Sequence, residues 1–195
     1  MGDYFEIIAD VEATEAEAPA LAASVVSWLT REGIVAAEPA AECVLGAEWG
    51  YPPGRRYTAA VTEPDEHMLQ LQANGVEVST SRTVFSPAQG TVGSVVCPLC
   101  GQTVDLNEPA TGQITPQWEL FSEAFGAWME GGPGEVRCPQ CRQVARLNDW
   151  RWTNEPFVVG FLGFTFWNWP PLSESFIAQL ASHLEHRVRV IRGKL

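Results

Sequence analysis

The chain has 195 residues, 46% of them hydrophobic, and carries 24 acidic against 12 basic side chains, for a formal net charge of −12. This length predicts one domain, or one domain with an inserted module, and the hydrophobic content suffices for a packed core. The acidic balance argues against nonspecific binding to nucleic acid or to anionic membranes, because both need clustered Lys and Arg. It suits a basic protein partner.

The cysteines and the first residues of the chain predict a cytoplasmic location. Five cysteines are an odd number, and residues 1–6 show neither the basic nor the apolar region of a signal peptide. We therefore expect intracellular thiols rather than a disulfide framework. The most apolar stretch, residues 157–167, is too short to cross a bilayer, so no membrane association is expected.

Residues 1–46 predict a strand, a helix and a second strand. Polar and apolar residues alternate from residue 4 to 11, which is typical of a strand buried mostly on one face. A helix follows, because Pro19 suits its first turn and Gly33 suits its end. Its apolar stripe consists of Leu21, Val25, Trp28 and Leu29. We place the second strand within residues 34–46.

Residues 46–58 predict a loop whose composition suits partner binding. The segment holds three Gly and two Pro, which favour a loop. Aromatic and Arg side chains on a Pro-stiffened loop have the composition of binding hot spots. The candidate partner-binding residues are Trp49, Tyr51, Arg55, Arg56 and Tyr57. An ordinary surface loop is the alternative interpretation.

The remaining elements outside the cysteine segments repeat the order of strand, helix and strand. A short helix over 64–73 and a strand over 76–80 come before those segments. A long buried strand over 157–169, a helix capped by Ser173 and a strand over 187–190 come after them. This order resembles the split β-α-β, or ferredoxin-like, sandwich, and the resemblance implies an α+β fold whose termini lie close together.

Two Cys-Pro-x-Cys tetrads carry most of the functional information in the chain. They belong to a thirteen-residue repeat, residues 95–107 and 136–148, in which seven positions agree without a gap. Two pairs of thiolates are the donor set of a tetrahedral zinc site, and four thiolates leave no position for a reactive water. The spacing therefore predicts a structural zinc site. An iron site with the same ligands, disulfides and a metal-free fold are the alternatives.

The repeated segments resemble the zinc-ribbon, or rubredoxin-like zinc-knuckle, superfamily over about residues 93–148. The resemblance implies hairpin tips that bind the metal through Cys97, Cys100, Cys138 and Cys141. Two features depart from that pattern. The spacer of 37 residues between the cysteine pairs is long, and Arg142 occupies a position where a knuckle often has Gly.

Two aromatic segments have alternative interpretations. The spacer predicts a helix between Thr115 and Gly131 with one aromatic face, formed by Trp118, Phe121, Phe125 and Trp128. Residues 150–169 contain eight further aromatic residues. We expect both sets to be core, since aromatic stripes at helical spacing and central strands covered on both faces are usually buried. An exposed binding surface is the alternative in each case.

The predicted organisation is an α+β domain formed by residues 1–92 and 149–195, with a zinc-ribbon insertion at 93–148. The sequence contains no nucleophile-elbow, phosphate-loop or dinucleotide motif. We therefore expect a non-enzymatic protein-interaction module, such as an inhibitor or immunity-type binder of a basic partner. An accessory protein in nucleic-acid transactions is an alternative if six arginines converge on one face: Arg55, Arg56, Arg137, Arg142, Arg146 and Arg151. An enzyme whose site the sequence does not reveal is the other alternative.

Overall fold

The computed structural model of the chain describes residues 2–89, 92–108, 110–154 and 156–195. Within them the fold is mixed α/β, with small, mostly antiparallel sheets. The α-helices are α1 (Ala18–Arg31), α2 (Pro116–Met129) and α3 (Glu174–Leu184), and short 3-10 helices cover Tyr57–Ala59, Glu66–Gln70 and Leu147–Asp149. No helix of this described part has the length and apolar content needed to cross a membrane.

The strands of the described residues vary from two to seven residues in length. In chain order they are β1 (Tyr4–Asp10), β2 (Ala40–Ala41), β3 (Trp49–Gly50), β4 (Val76–Ser79), β5 (Thr83–Phe85), β6 (Ser94–Val96), β7 (Thr103–Asp105), β8 (Glu135–Arg137), β9 (Val144–Arg146), β10 (Arg151–Trp152), β11 (Val158–Gly160), β12 (Leu162–Trp167) and β13 (Val188–Lys194).

Four strands form the central sheet in the order β13-β1-β12-β4, and every neighbouring pair is antiparallel. Helix α1 lies between β1 and β4 along the chain, and helix α3 lies between β12 and β13. The helices pack together, since the rings of Trp28 and Phe176 stack with centroids 5.9 Å apart. Ser173 caps α3 by accepting a hydrogen bond from the N–H of Phe176 at 3.2 Å, as its sequence position predicts.

The central sheet is buried on both faces, so the prediction that its first strand is buried mostly on one face is wrong. On one face, Ile8 and Phe164 join a core with the apolar sides of α1 and α3. On the other face, Phe5 and Ile7 pack with Phe85 and other apolar residues outside the sheet. Alternation predicts one buried face only where the second face meets water, and here a second apolar layer covers it.

The second strand of the sheet is β4, and the prediction of a strand within residues 34–46 is correct only for the two residues of β2. Strand β2 pairs with β3 in a separate small sheet. Ile34, Cys43 and Val44 are buried outside any strand. Pro39 lies between them and cannot donate a backbone hydrogen bond, which disfavours a longer strand.

The apolar run over residues 157–169 forms two strands rather than the predicted single strand. Strand β11 pairs with β5, whereas β12 pairs with β1 and β4 in the central sheet. The chain bends at Phe161 between the two strands. Gly160 permits this arrangement, because a Cβ atom there would lie 2.7 Å from the carbonyl oxygen of Asp10.

Residues 92–152 contain elements that surround a second hydrophobic core, to which Val159 of β11 also belongs. Strands β10, β6 and β7 form one sheet, β8 and β9 form a hairpin, and α2 covers both. The pairing of β10 with β6 continues past residue 148, the predicted end of the insertion. Phe121 and Phe125 of α2 are buried in this core and Trp118 and Trp128 pack against it, which confirms the core interpretation of the aromatic helix face.

Three side chains, Arg82, Trp128 and Asn148, make polar contacts that attach this second core to the central part of the chain. Arg82 donates from Nη1 to the carbonyl oxygens of Trp128 at 2.9 Å and Gly132 at 3.1 Å, and its guanidinium lies 4.0 Å from the Trp128 ring centroid. The Trp128 indole donates to the carbonyl oxygen of Thr83 at 3.1 Å. The Asn148 amide exchanges two hydrogen bonds with the backbone of Val159. Hydrogen bonds at the end of α2, made by Arg82 and Trp128, therefore add to the apolar contacts of the helix.

Candidate metal centre

Each Cys-Pro-x-Cys tetrad lies at the tip of a β-hairpin, the first between β6 and β7 and the second between β8 and β9. In the first, the N–H of Cys97 donates to the carbonyl oxygen of Gln102, and the N–H of Gly101 donates to that of Cys97, both at 3.0 Å. The second hairpin repeats both bonds at 2.9 Å through Cys138 and its neighbours. The internal repeat in the sequence is therefore a repeat of local structure.

Both tips need a residue in the left-handed region of backbone conformation. Gly101 has a φ of 70° and Arg142, at the equivalent position, has a φ of 62°. Glycine adopts this conformation without steric cost, whereas a side chain crowds the backbone. The departure from the zinc-knuckle pattern at Arg142 therefore leaves the turn unchanged and costs conformational energy.

The four thiols come together as the sequence predicts. The Sγ atoms of Cys97, Cys100, Cys138 and Cys141 all lie within 4.8 Å of one another. The sulfur atoms of Cys100 and Cys138, from different hairpins, are 3.9 Å apart. Four sulfurs at Zn–S bond lengths in a tetrahedron lie about 3.8 Å apart, whereas a disulfide needs about 2.05 Å. The cluster thus has metal-binding dimensions, and all its cysteines are free thiols.

Backbone N–H groups point toward the sulfur atoms. The N–H of Leu99 donates to Sγ of Cys97 at 3.4 Å. Burial raises the pKa of Cys97, but the N–H groups of Cys100 and Leu99 and the thiols of Cys100 and Cys138 outweigh it and lower that pKa to about 7. In the second tetrad the N–H groups of residues 140 and 141 also act to lower the pKa of Cys138, but burial and neighbouring cysteines outweigh them.

The thiols of Cys100 and Cys138 resist deprotonation, because each is partly desolvated and faces neighbouring cysteines. The N–H of Gln102 lowers the pKa of Cys100, but burial and the three neighbouring cysteines raise it to about 11. Burial is the largest cause that raises the pKa of Cys138, with neighbouring cysteines adding to it. A divalent cation would remove this repulsion, and thiolates are soft donors that suit Zn²⁺. The donor set therefore fits a zinc ion.

Only some of the residues in the predicted partner-binding loop are exposed to solvent. Tyr57 is buried in the main core, with its ring 6.0 Å from that of Trp169, so its assignment as a partner-binding residue is wrong. Tyr51 is partly buried, and its backbone pairs with Val76. Trp49 is 55% exposed.

Arg55 and Arg56 are exposed, and the structure does not group them with the aromatic residues of the same loop. They line a shallow groove near the end of α1 together with Glu32, and Nη1 of Arg56 lies 3.7 Å from Oε2 of that carboxylate. Neither Trp49 nor Tyr51 lines the groove. The groove therefore contains the two arginines of the loop without its aromatic side chains.

Sequence reasoning missed one polar site because its residues are far apart in the chain. Asp10 is 1% exposed, and its Oδ1 accepts hydrogen bonds from the N–H groups of Glu12 and Ala13 at 2.8 Å. Its Oδ2 lies 2.8 Å from Nδ1 of His186, 176 residues away. That hydrogen bond is the main reason why the pKa of His186 is raised. No local pattern signals this pair.

Comparisons with known proteins found no match to this chain. No protein family, no curated protein and no solved structure is similar enough to suggest a relative. The thiol cluster and the charged surfaces are therefore the features from which a function is inferred.

Proposed function

We propose that the four clustered cysteines hold one structural Zn²⁺ ion, and that their two hairpins form a zinc-ribbon insertion. The sulfur separations, the N–H groups around the sulfurs and the duplicated hairpin turns support this. An ion bound by four thiolates has no open coordination position, so it stabilises the hairpins and does not react. Iron uses the same ligands and is distinguished by its colour and by elemental analysis.

The rest of the chain is assigned in this proposal to a ferredoxin-like sandwich that the insertion interrupts between β4 and β12. The strand order β13-β1-β12-β4, with one helix in each strand-to-strand crossover, supports the assignment. The core shared by α1, α3 and the sheet supports it further.

The proposed function is a non-enzymatic module that binds a basic protein partner, as an inhibitor or immunity-type protein does. The distribution of charge carries this proposal: residues 1–92 hold 14 of the 24 acidic side chains and 4 of the 12 basic ones. Such a surface attracts a cationic partner and repels nucleic acid. The five free thiols support a cytoplasmic location, where cysteines stay reduced.

The loop at 46–58 is the proposed contact region within this acidic half. Trp49, Arg55 and Arg56 are its exposed candidates. Arg suits such a contact even with a basic partner, because a guanidinium donates to backbone carbonyl groups and stacks on aromatic rings. Pro52 and Pro53 restrict the loop, so little entropy is lost when it is ordered on a partner.

Affinity capture from the native cell, with the full chain as bait, tests the proposal. We expect one stoichiometric partner with a positive net charge whose binding weakens as salt is raised. Arg55→Ser/Arg56→Ser should weaken that complex about tenfold, whereas the matched control Arg137→Ser/Arg146→Ser should leave it unchanged. The absence of any basic partner, or full affinity in the loop variant, would contradict the proposal.

A second candidate, an accessory role with nucleic acid, is favoured by three arginines on the second hairpin. Arg137, Arg142 and Arg146 are all exposed there, whereas Arg55 and Arg56 lie near the end of α1. A gel shift with mixed-sequence DNA at physiological salt tests this role. Sub-micromolar binding would favour it over the protein-interaction function.

A further inference from the structure

The second cysteine hairpin has one face toward its core and one face toward solvent. Strands β8 and β9 pair in the register Glu135 with Arg146, Val136 with Ala145 and Arg137 with Val144. Val136 and Ala145 are buried, and the other four residues are exposed. Side chains alternate between the faces of a strand, so Arg137 and Arg146 lie diagonally on the solvent face. Val144, 43% exposed, lies on that face with them.

A third arginine extends this basic face to the tip of the hairpin. Nη1 of Arg137 donates to the carbonyl oxygen of Arg142 at 2.7 Å, which places the Arg137 guanidinium beside the tip. None of these three guanidinium groups forms an ion pair with a carboxylate among the described residues. Glu135 lies opposite Arg146 on the same face without an ion pair to it, so three cations and one carboxylate leave this hairpin surface with a net positive charge.

The opposite end of the basic face leads into a cavity. Arg146 lines a cavity of about 340 Å³ between the hairpin and the central part of the chain. Its lining is mixed: Val11, Trp128 and Phe161 are among its apolar residues, and Glu135, Asp149 and Arg187 are among its charged ones. The surface therefore combines three exposed arginines of one hairpin with a neighbouring recess that has an apolar part and is large enough for a side chain.

We propose that this surface binds an extended acidic segment of a protein, with carboxylates on Arg137, Arg142 and Arg146 and an apolar side chain in the recess. Arg forms bidentate, charge-assisted hydrogen bonds with carboxylates, and a bound apolar anchor gains hydrophobic free energy. The inference rests on the proposed protein-interaction function. It adds a second surface, opposite in charge to the first, and so a second partner class.

The composition of the surface favours a peptide over nucleic acid. Glu135 and Asp149 line the same cavity as Arg146, and their carboxylates would repel a phosphate backbone. The hairpin presents no exposed aromatic ring among its described residues, so it offers no platform on which a base can stack. A peptide avoids both difficulties, because its acidic and apolar side chains are placed independently along an extended backbone.

Selection from a random-peptide phage library on the immobilised, metal-loaded full chain tests the inference. We expect the enriched peptides to contain several Asp or Glu residues next to an apolar residue. A fluorescein-labelled copy of the most enriched peptide is then titrated by fluorescence anisotropy at two salt concentrations. Arg137→Ser/Arg142→Gly/Arg146→Ser should lower its affinity at least about tenfold, and the remaining affinity should depend less on salt.

The control variant is Arg55→Ser/Arg56→Ser, which removes two exposed cations elsewhere and should leave peptide binding unchanged. Glycine at position 142 keeps the left-handed turn, and the metal content of each variant reports whether the hairpin is intact. Enrichment of non-acidic peptides, or equal binding by the hairpin variant, overturns the inference. Displacement of the peptide by single-stranded DNA at lower concentration than by unlabelled peptide overturns it in favour of nucleic acid. The absence of a basic partner in cells contradicts the first function and leaves these readouts unaffected.

Discussion

The equivalent turns of the two cysteine hairpins differ in one residue, and that difference has an energetic cost. Arg142 adopts the left-handed conformation that Gly101 adopts in the other hairpin. This conformation costs a non-glycine residue roughly 1–2 kcal/mol, and the greater freedom of glycine in the unfolded chain offsets roughly half of it. We expect Arg142→Gly to raise the free energy of unfolding by about 0.5 kcal/mol, measured by urea denaturation of the metal-loaded protein.

The reciprocal substitution Gly101→Arg is the matched control for Arg142→Gly. No atom lies within 4 Å of a Cβ at position 101, so backbone strain is the expected cost and steric overlap is not. It should lower the free energy of unfolding by a similar amount, about 0.5 kcal/mol. Destabilisation by Arg142→Gly together with a neutral Gly101→Arg would show that the turns are not equivalent.

The pair formed by Asp10 and His186 predicts a pH-dependent contribution to stability. In the folded protein, the hydrogen bond between His186 and Asp10 is the largest cause of the raised pKa of His186. The negative charges of Glu12 and Glu17 raise this pKa further. A raised folded pKa means that the contribution is complete below the unfolded pKa of about 6.5 and is lost as pH rises through the folded pKa.

A double-mutant cycle with Asp10→Asn and His186→Asn measures this contribution. We expect the coupling free energy between the two residues to be larger at mildly acidic pH than at mildly alkaline pH, because only protonated His186 forms an ion pair. Thermal denaturation of the four proteins at both pH values gives the coupling. A coupling that is independent of pH would show that the protonation state of His186 does not control the interaction over this range.

At the scale of elements, Arg82 connects α2 to the central part of the chain. It caps the C-terminal end of the helix with two hydrogen bonds and covers the rings of Trp128 and Phe161. Arg82→Met keeps much of the apolar contact but removes the cation, so we expect a loss of about 2 kcal/mol in unfolding free energy. Arg31→Met, at an exposed site with one long ion pair, should cost less than about 0.5 kcal/mol.

Hydrogen exchange tests whether Arg82 stabilises the protein by holding the C-terminal end of α2 against the central part of the chain. The amides at the end of α2 should exchange faster in Arg82→Met, whereas those of β1 should not change. Equal stability of the two Arg variants would contradict the role of Arg82 as an anchor.

The elements that the sequence predicts well are those with local signals. Pro19, Thr115 and Ser173 lie at or next to the starts of the three helices, and the alternation before residue 11 identifies β1. Strand β4 is also predicted, but its place in the sheet is not, because sheet neighbours are determined by contacts distant in sequence. A continuous apolar run likewise hides the bend at Phe161, since two buried strands and one give the same pattern.

The residues of the candidate sites likewise differ in whether a local sequence signal predicts them. The metal ligands are predictable because spacing within each tetrad is local and the tetrads repeat. The loop prediction is wrong at Tyr57 because an aromatic residue beside arginines has the same local composition whether it is exposed or buried. Arg137, Arg142 and Arg146 are visible in the sequence, but only the strand register places two of them on one face.

At the scale of the whole molecule, we expect the two cores to respond separately if the proposed metal is removed. The core around the thiols contains Phe121, Leu106 and Trp150, whereas the main core contains a different set of residues. After chelation, uncompensated thiols lie beside a small core with few alternative contacts. We expect faster hydrogen exchange over residues 92–152, with β1 and β12 still protected. An equal increase in hydrogen exchange in both cores would contradict the expectation that the metal stabilises only the core around the thiols.

The metal content of the protein, purified without chelators, is the most direct test of the central claim that Cys97, Cys100, Cys138 and Cys141 form a closed metal site. We predict about one zinc ion per chain, and X-ray absorption should show four sulfur neighbours at about 2.3 Å. Cys100→Ser should lose most of the metal, whereas Cys43→Ser, a buried thiol outside the cluster, should keep it. Less than about half an equivalent of zinc or iron, or a shell containing nitrogen or oxygen, would contradict the closed four-thiolate site.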